Sequence, residues 1–165
     1  MEGHVQGLDA AGLQERAGLH DPQVAEGASR ALREARSAGL PVFPVVHEAM
    51  RERLHPAAAP LGDEPALGKP RLGAFAGTDL HARLQQGGIG RVLIAGVATS
   101  GTVLSTARWA YDAGYEVAVC ADACADPDAQ VNAALLDESV HPDSWLGLWR
   151  IARVVDSAGI AGLLG

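Results

Sequence analysis

The residues with the clearest chemical potential in this sequence are one lysine and a short run of hydroxyl side chains. Lys69 is the only lysine, and Thr99, Ser100 and Thr102 lie in the turn GVATSGT between a predicted strand and a predicted helix. The first N–H groups of such a helix carry partial positive charge and can hold a carboxylate, a phosphate or a developing oxyanion. A nearby lysine would stabilise the same charge, although a single loop lysine is most often a solvated surface group.

The turn has two other interpretations. It can be purely structural, with Thr99 or Ser100 capping the helix. Thr102 can act as a nucleophile only beside a base, because a free hydroxyl is hardly ionised at neutral pH, and its neighbours in the sequence offer none. The turn also lacks the lysine of a G-x-x-x-x-G-K-[ST] phosphate loop and the spacing of a G-x-G-x-x-G dinucleotide loop.

The two cysteines are expected to be buried structural thiols. Cys120 and Cys124 have three residues between them, which is not the C-x-x-C spacing of a redox pair, and no second pair indicates zinc. Cys120 lies inside a predicted strand. Cys124 follows that strand but has no histidine near it in the sequence.

Strands and helices alternate along the chain, and these elements would position the lysine and the turn. Asp21 caps a first helix that ends near Gly39. Apolar runs and helical spacing predict further elements, namely strands 41–48, 91–98, 115–122 and 151–157 and helices 78–88, 102–114 and 127–140. This order predicts an α/β fold with a mostly parallel sheet between helices. Ligands of such sheets bind beyond the strands' carboxyl ends, here near His47, Ala98–Gly101 and Asp122–Asp126.

The same patterns give three finer predictions. The continuous apolar run 91–98 predicts a strand covered on both faces. The helix 102–114 is expected to bury one side, made of Val103, Thr106, Ala107, Ala110 and Tyr111. The stretch 49–77 is expected to be a long connection, which is uncommon inside a compact domain and often functional.

Length and composition limit the class of protein. A chain of 165 residues predicts a single domain, 1–165. The net charge of -7 and the absence of a basic run argue against a nucleic-acid partner. The sequence shows no signal-peptide pattern and no apolar run near the roughly 20 residues that span a membrane. We therefore expect a soluble, cytoplasmic protein with no membrane partner.

Two motifs together resemble the isochorismatase-like (cysteine hydrolase) superfamily. The stretch KPRLGAFAGTDL resembles its K-x-x-x-[SG]-A-F-x-x-T-x-L motif, and GVATSGTVLSTARWA followed by DAC resembles its nucleophile turn. The likeness is close from Lys69 to Asp126. It implies a Rossmann-like three-layer α/β/α fold, a dimer or tetramer, and hydrolysis of a small amide, a vinyl ether or a related substrate. It also implies a cis peptide bond at Val97–Ala98.

The resemblance implies an Asp-Lys-Cys triad that this chain completes only in part. Lys69 matches the triad lysine, whereas Thr102 stands at the position of the cysteine. The triad aspartate would end a first strand, which we expect this sequence to lack because it opens Met1-Glu2-Gly3-His4. Some members without the cysteine hydrolyse vinyl ethers by acid catalysis, and that route uses the same aspartate.

The expected pocket lies between the lysine loop and the turn. The catalytic candidates are Lys69 and Thr102, and the substrate-binding candidates are Phe75, Ala98, Thr99, Ser100 and Gly101. No metal is expected, because His47 and His55 do not form the D-x-H pattern of the nicotinamidase branch, and no cofactor is expected either.

Two functions follow from this site. One is a hydrolase acting on a small molecule. The other is an inactive homo-oligomeric scaffold or binding protein that holds a small anion. A carboxylate within hydrogen-bond reach of Lys69 and the turn would favour the enzyme.

Overall fold

A computed structural model describes residues 21–49 and 55–163 of the chain. Its helices are α1 (Pro22–Ser37), α2 (Leu80–Gln86), α3 (Leu104–Asp112) and α4 (Ala129–Leu136). Its strands are β1 (Val45–His47), β2 (Leu67–Lys69), β3 (Arg91–Val97), β4 (Glu116–Ala125) and β5 (Arg153–Val155). Short 3-10 helices cover Pro56–Ala58, Leu148–Arg150 and Ser157–Leu163, and a π-helical turn covers Thr99–Val103. The expected lack of a first strand and its aspartate concerns residues 1–20, which lie outside the described residues.

All described strand pairs are parallel. One sheet has the order β3-β4-β5, and β1 pairs with β2 in a second sheet. The connections between parallel strands contain helices, as such crossovers require. The predicted α/β class with a parallel, Rossmann-like arrangement is therefore confirmed.

Local sequence signals explain the position of α1. The Asp21 carboxylate accepts the N–H of Gln23 at 2.8 Å, and Pro22 occupies the first turn, where no N–H is needed. Gly39 follows the helix with a φ of 68°, a conformation that favours glycine. The predicted cap and both ends of this helix are thus confirmed.

The core forms around β4 and α3. The β4 residues Val117, Ala118, Val119, Cys120, Ala123, Cys124 and Ala125 are buried. The inner face predicted for the helix 102–114 is right for Val103, in the turn before α3, and for Thr106, Ala107 and Ala110 on α3. It is wrong for Tyr111, which is 50% exposed. Tyr115, which follows the helix and donates its N–H to Ala110 O, provides the buried ring instead.

Three further predictions need correction. The strand 41–48 is reduced to Val45–His47, because Pro41 and Pro44 have no N–H for a ladder. The connection 49–77 contains β2, whose three residues are too few to show a period. Side chains of β3 alternate between half-buried and exposed, so among the described residues its two faces are not both covered.

Asp122 connects β4 to the C-terminal 3-10 helix. Its two oxygens accept the Ser157 N–H at 2.8 Å and the Ser157 hydroxyl at 2.5 Å, and the Cys120 thiol donates to it at 3.2 Å. Burial raises the pKa of this carboxyl, but the hydrogen bonds from Ser157 outweigh burial and hold the pKa below its ordinary value.

Asp122→Asn is expected to lower the free energy of unfolding by about 2 kcal/mol at pH 7, because charge-assisted hydrogen bonds are lost. The native carboxyl has the lower pKa, so its contribution is present above the unfolded value of about 3.9 and is lost as pH falls through the native value. Urea unfolding at pH 7 and pH 3 measures the difference in free energy of unfolding between wild type and Asp122→Asn. We expect this difference to be smaller at pH 3. The exposed neighbour Asp156→Asn is the control, and an equal Asp122→Asn difference at both pH values would contradict this account.

Candidate active site

Lys69 lies at the carboxyl end of β2, paired in register with His47 of β1. Only 4% of its surface is exposed. Its Nζ donates to the Leu72 carbonyl and lies 2.8 Å from the Thr102 hydroxyl. Burial lowers the pKa of Lys69, because the charged form loses its hydration. The single lysine is therefore not a solvated surface group.

The turn after β3 carries the hydroxyl partner of Lys69. The Val97–Ala98 peptide bond is cis, as the family resemblance implies. The π-helical turn Thr99–Val103 then leads directly into α3, so Thr102 lies at the start of the helical segment. Thr102 itself is half-buried. The structure thus brings together the two predicted catalytic residues, which lie 33 positions apart in the chain.

Several N–H groups of the turn already have partners. Asp126, just beyond β4, accepts the Ser100 N–H through Oδ2 at 2.7 Å. The N–H groups of Gly101 and Val103 donate to Ala98 O at 3.2 and 3.3 Å. A ligand anion would compete with these acceptors, so the roles given to Ala98, Ser100 and Gly101 stay predictions.

The loop after Lys69 packs against the turn and α3. The Thr106 hydroxyl donates to Thr102 O at 2.6 Å and accepts the Ala74 N–H at 3.0 Å. A Cβ added to Gly101 would lie 3.2 Å from Leu72 Cδ1, so Leu72 covers the turn. These contacts fix the backbone on both sides of the Lys69–Thr102 pair.

Phe75 lies in an aromatic cluster beside this loop. Its ring is buried and stacks on Trp109 of α3, with centroids 4.1 Å apart, and Tyr115 lies 6.1 Å away. His81 packs against Trp109 in a T-shaped arrangement, and its Nδ1 is 2.8 Å from the Tyr115 hydroxyl. The substrate-binding role of Phe75 stays a prediction, since the ring as described packs against protein.

Thr99 is fully buried and donates its hydroxyl to Asn132 Oδ1 of α4 at 2.6 Å. Its side chain therefore connects the turn to α4, and the binding role predicted for it also stays a prediction. Sequence reasoning did not identify Asn132 as a residue of the site. It placed Asp126 at the ligand-binding edge, because it follows β4, but gave it no role in the turn.

The two cysteines offer no substitute for the missing thiol nucleophile. Both are buried. Burial raises the pKa of Cys124 to about 12, and burial together with the Asp122 carboxylate raises the pKa of Cys120 as well. The expectation of structural thiols is consistent with these surroundings.

Neither cysteine is expected to react with Ellman's reagent in the folded protein at pH 8, because almost no thiolate forms and both sulfurs are buried. The absorbance assay should register both thiols once guanidinium unfolds the chain, which is the internal control. Rapid native labelling of either one would contradict this assignment.

The described ranges hold no group of three or more His, Cys, Asp or Glu side chains that could hold a metal ion. In those ranges His47 accepts the Ala49 N–H at 3.3 Å through Nδ1. No helix among the described residues is long and apolar enough to cross a membrane.

Two open concavities lie away from Lys69 and Thr102. One, of about 340 Å³, is between the chain after α1 and residues 61–65. The other, of about 410 Å³, is between the end of α4 and β5. Neither concavity is lined by a predicted site residue. The Lys69–Thr102 contact, which lies beside Leu72, is therefore the better candidate for the active site.

The geometry defines a class of protein. Helix-connected parallel strands present a buried lysine and a strand-to-helix turn at their carboxyl ends, which is where Rossmann-like α/β proteins bind small ligands.

Known proteins place the chain within that class. The Isochorismatase domain model matches residues 10–142, and this chain belongs to the isochorismatase family. It is 28% identical over 137 residues to the isochorismatase family protein YddQ of Bacillus subtilis, covering 74% of this chain and 76% of YddQ. A family member from Chromobacterium violaceum has a TM-score of 0.69 at 27% identity, covering 87% of this chain and 82% of that one.

A third relative supports the fold. An isochorismatase family protein from Burkholderia thailandensis has a TM-score of 0.72 at 24% identity, covering 86% of this chain and 83% of the other. The family resemblance inferred from the stretch Lys69 to Asp126 is thus confirmed.

Proposed function

We propose that this protein hydrolyses a small amide or ester at the contact between Lys69 and Thr102. The observation that carries the proposal is the buried Lys69 nitrogen, 2.8 Å from a hydroxyl at the carboxyl end of β3. Perturbed, buried titratable groups in such a place are typical of catalytic sites. Membership of the isochorismatase family supports a hydrolytic reaction.

Lys69 is suited to both halves of a hydrolysis. When neutral it can take a proton, and when protonated it can stabilise negative charge on a carbonyl oxygen. Its lowered pKa brings these two forms closer in free energy near neutral pH. Vinyl ethers are the less favoured substrate class, because their acid-catalysed hydrolysis needs a carboxylic acid. No ion pair joins Lys69 to a carboxylate in the described part of the chain.

A substrate panel tests the proposal. Purified protein is incubated with p-nitrophenyl esters of short acids and with primary amides, and p-nitrophenolate or ammonia is measured. We expect turnover of at least one short ester or amide above the rate of heat-denatured protein. No turnover across the panel would contradict the hydrolase assignment.

A binding or scaffold function is the second candidate. It is favoured by the same lack of an ion pair between Lys69 and a carboxylate among the described residues. Titration calorimetry with acetate and benzoate, together with sedimentation velocity, tests it. Tight anion binding by a homo-oligomer with no turnover would favour this candidate over the hydrolase.

A further inference from the structure

We propose that Thr102 is the nucleophile of this site and Lys69 its general base, so that the reaction passes through an ester on Thr102 Oγ1. This inference rests on the proposed hydrolase function and specifies how it is carried out. It replaces a thiol mechanism with a threonine–lysine pair.

The first requirement is a base within reach of the hydroxyl. A neutral hydroxyl attacks poorly unless a neighbouring group accepts its proton at about 2.6–3.2 Å. Lys69 Nζ lies 2.8 Å from Thr102 Oγ1. The base that is missing beside Thr102 in the sequence is therefore supplied from β2. Serine–lysine pairs demonstrate that lysine can serve as the base in hydrolysis.

The second requirement is a lysine that can be neutral. Lys69 is 4% exposed, and none of the ion pairs among the described residues includes it. Its surroundings therefore disfavour the charged form. A neutral amine has two N–H groups and one lone pair. One N–H can bond the Leu72 carbonyl, and the lone pair can then accept the Thr102 hydroxyl.

The third requirement is a nucleophile that is both held and reachable. The backbone of Thr102 is fixed where the π-helical turn enters α3, and its carbonyl accepts the Thr106 hydroxyl at 2.6 Å. Thr102 as a residue is half-buried, whereas Lys69 is almost fully buried. Of the two residues, Thr102 is therefore the more accessible to a substrate.

The steps balance with water as the only co-reactant. Lys69 Nζ takes the proton of Thr102 Oγ1 as the oxygen bonds to the carbonyl carbon, forming a tetrahedral oxyanion. The oxyanion collapses, the bond to the leaving group breaks, and that group takes the proton from Nζ. Water then attacks the threonine ester while Nζ accepts its proton. The second collapse releases the acid and returns that proton to Oγ1.

Acetyl transfer from p-nitrophenyl acetate tests the proposal. Rapid quenching and intact mass spectrometry should find one acetyl group, mapped to Thr102 and removed by hydroxylamine, which cleaves esters but not lysine amides. Thr102→Val keeps the side-chain shape without the hydroxyl and should lose the adduct and about 10²-fold or more of the rate. Thr102→Ser should retain both, and Ser105→Ala, a nearby hydroxyl on α3, is the matched control.

Lys69→Arg separates a base from a mere positive charge, because arginine stays protonated. We expect this variant to form no adduct. Turnover by wild type that persists in Thr102→Val, or a hydroxylamine-stable acetyl on Lys69, would overturn the pair while leaving the hydrolase function intact. No turnover of any ester or amide by wild type would overturn the function and the pair together.

Discussion

Lys69→Ala is expected to reduce kcat/KM for hydrolysis by about 10²–10³-fold, and to abolish small-anion binding if that is the protein's function. The reason is that Lys69 is the only lysine and its nitrogen is held against Thr102 in a buried position. Ester hydrolysis and calorimetry with acetate provide the two readouts.

Two control variants make this result interpretable. Lys69→Met fills a similar space without the charge, so it separates loss of the amine from the loss of packing that the alanine variant also causes. Arg71→Met removes a charge from an exposed position on the same loop and should leave activity unchanged. Unchanged activity in folded Lys69→Ala and Lys69→Met proteins would show that the site lies elsewhere.

Gly27→Ala should be strongly destabilising, although alanine is the better helix former by about 1 kcal/mol. The added Cβ would lie 2.1 Å from the Asp122 carbonyl oxygen, so α1 or β4 would have to move. We expect a loss of about 3 kcal/mol, or a Tm lower by about 6–12 °C for a chain of this size. Thermal unfolding followed by circular dichroism measures it.

Gly90→Ala is the control for Gly27→Ala. Apart from its two chain neighbours, no atom of the described residues lies within 4 Å of its added Cβ, and its φ is not in the positive range. Its Tm should change by only a few degrees. An equal or higher Tm for Gly27→Ala than for wild type would contradict the close packing of α1 on β4.

The fold could be predicted where local signals determine it. The α1 helix has its cap, its first-turn proline and its terminal glycine in sequence, and β4 contains the apolar run 117–121. In contrast, β2 is three residues long and is stabilised by its pairing with β1, which no local pattern reveals. Tyr111 has the right helical spacing, yet Tyr115 fills the core and leaves Tyr111 exposed.

The sequence could predict which residues form the candidate site, but not which of them contact each other. Lys69 and Thr102 were identified from the motifs, yet their hydrogen bond joins β2 to the turn after β3 across 33 positions. The Asp126–Ser100 bond follows from the register Val97↔Ala125, which places the ends of β3 and β4 side by side. Such pairings are set by tertiary packing and not by local sequence.

The most direct test of the central claim is a carbon-13 NMR titration of protein labelled at the lysine ε-carbon. Because Lys69 is the only lysine, one side-chain signal reports its charge. We predict a pKa below the usual value of about 10.4, a signal that moves when acetate binds, and a different signal in Thr102→Val. An ordinary pKa that neither acetate nor Thr102→Val changes would contradict a buried Lys69–Thr102 site.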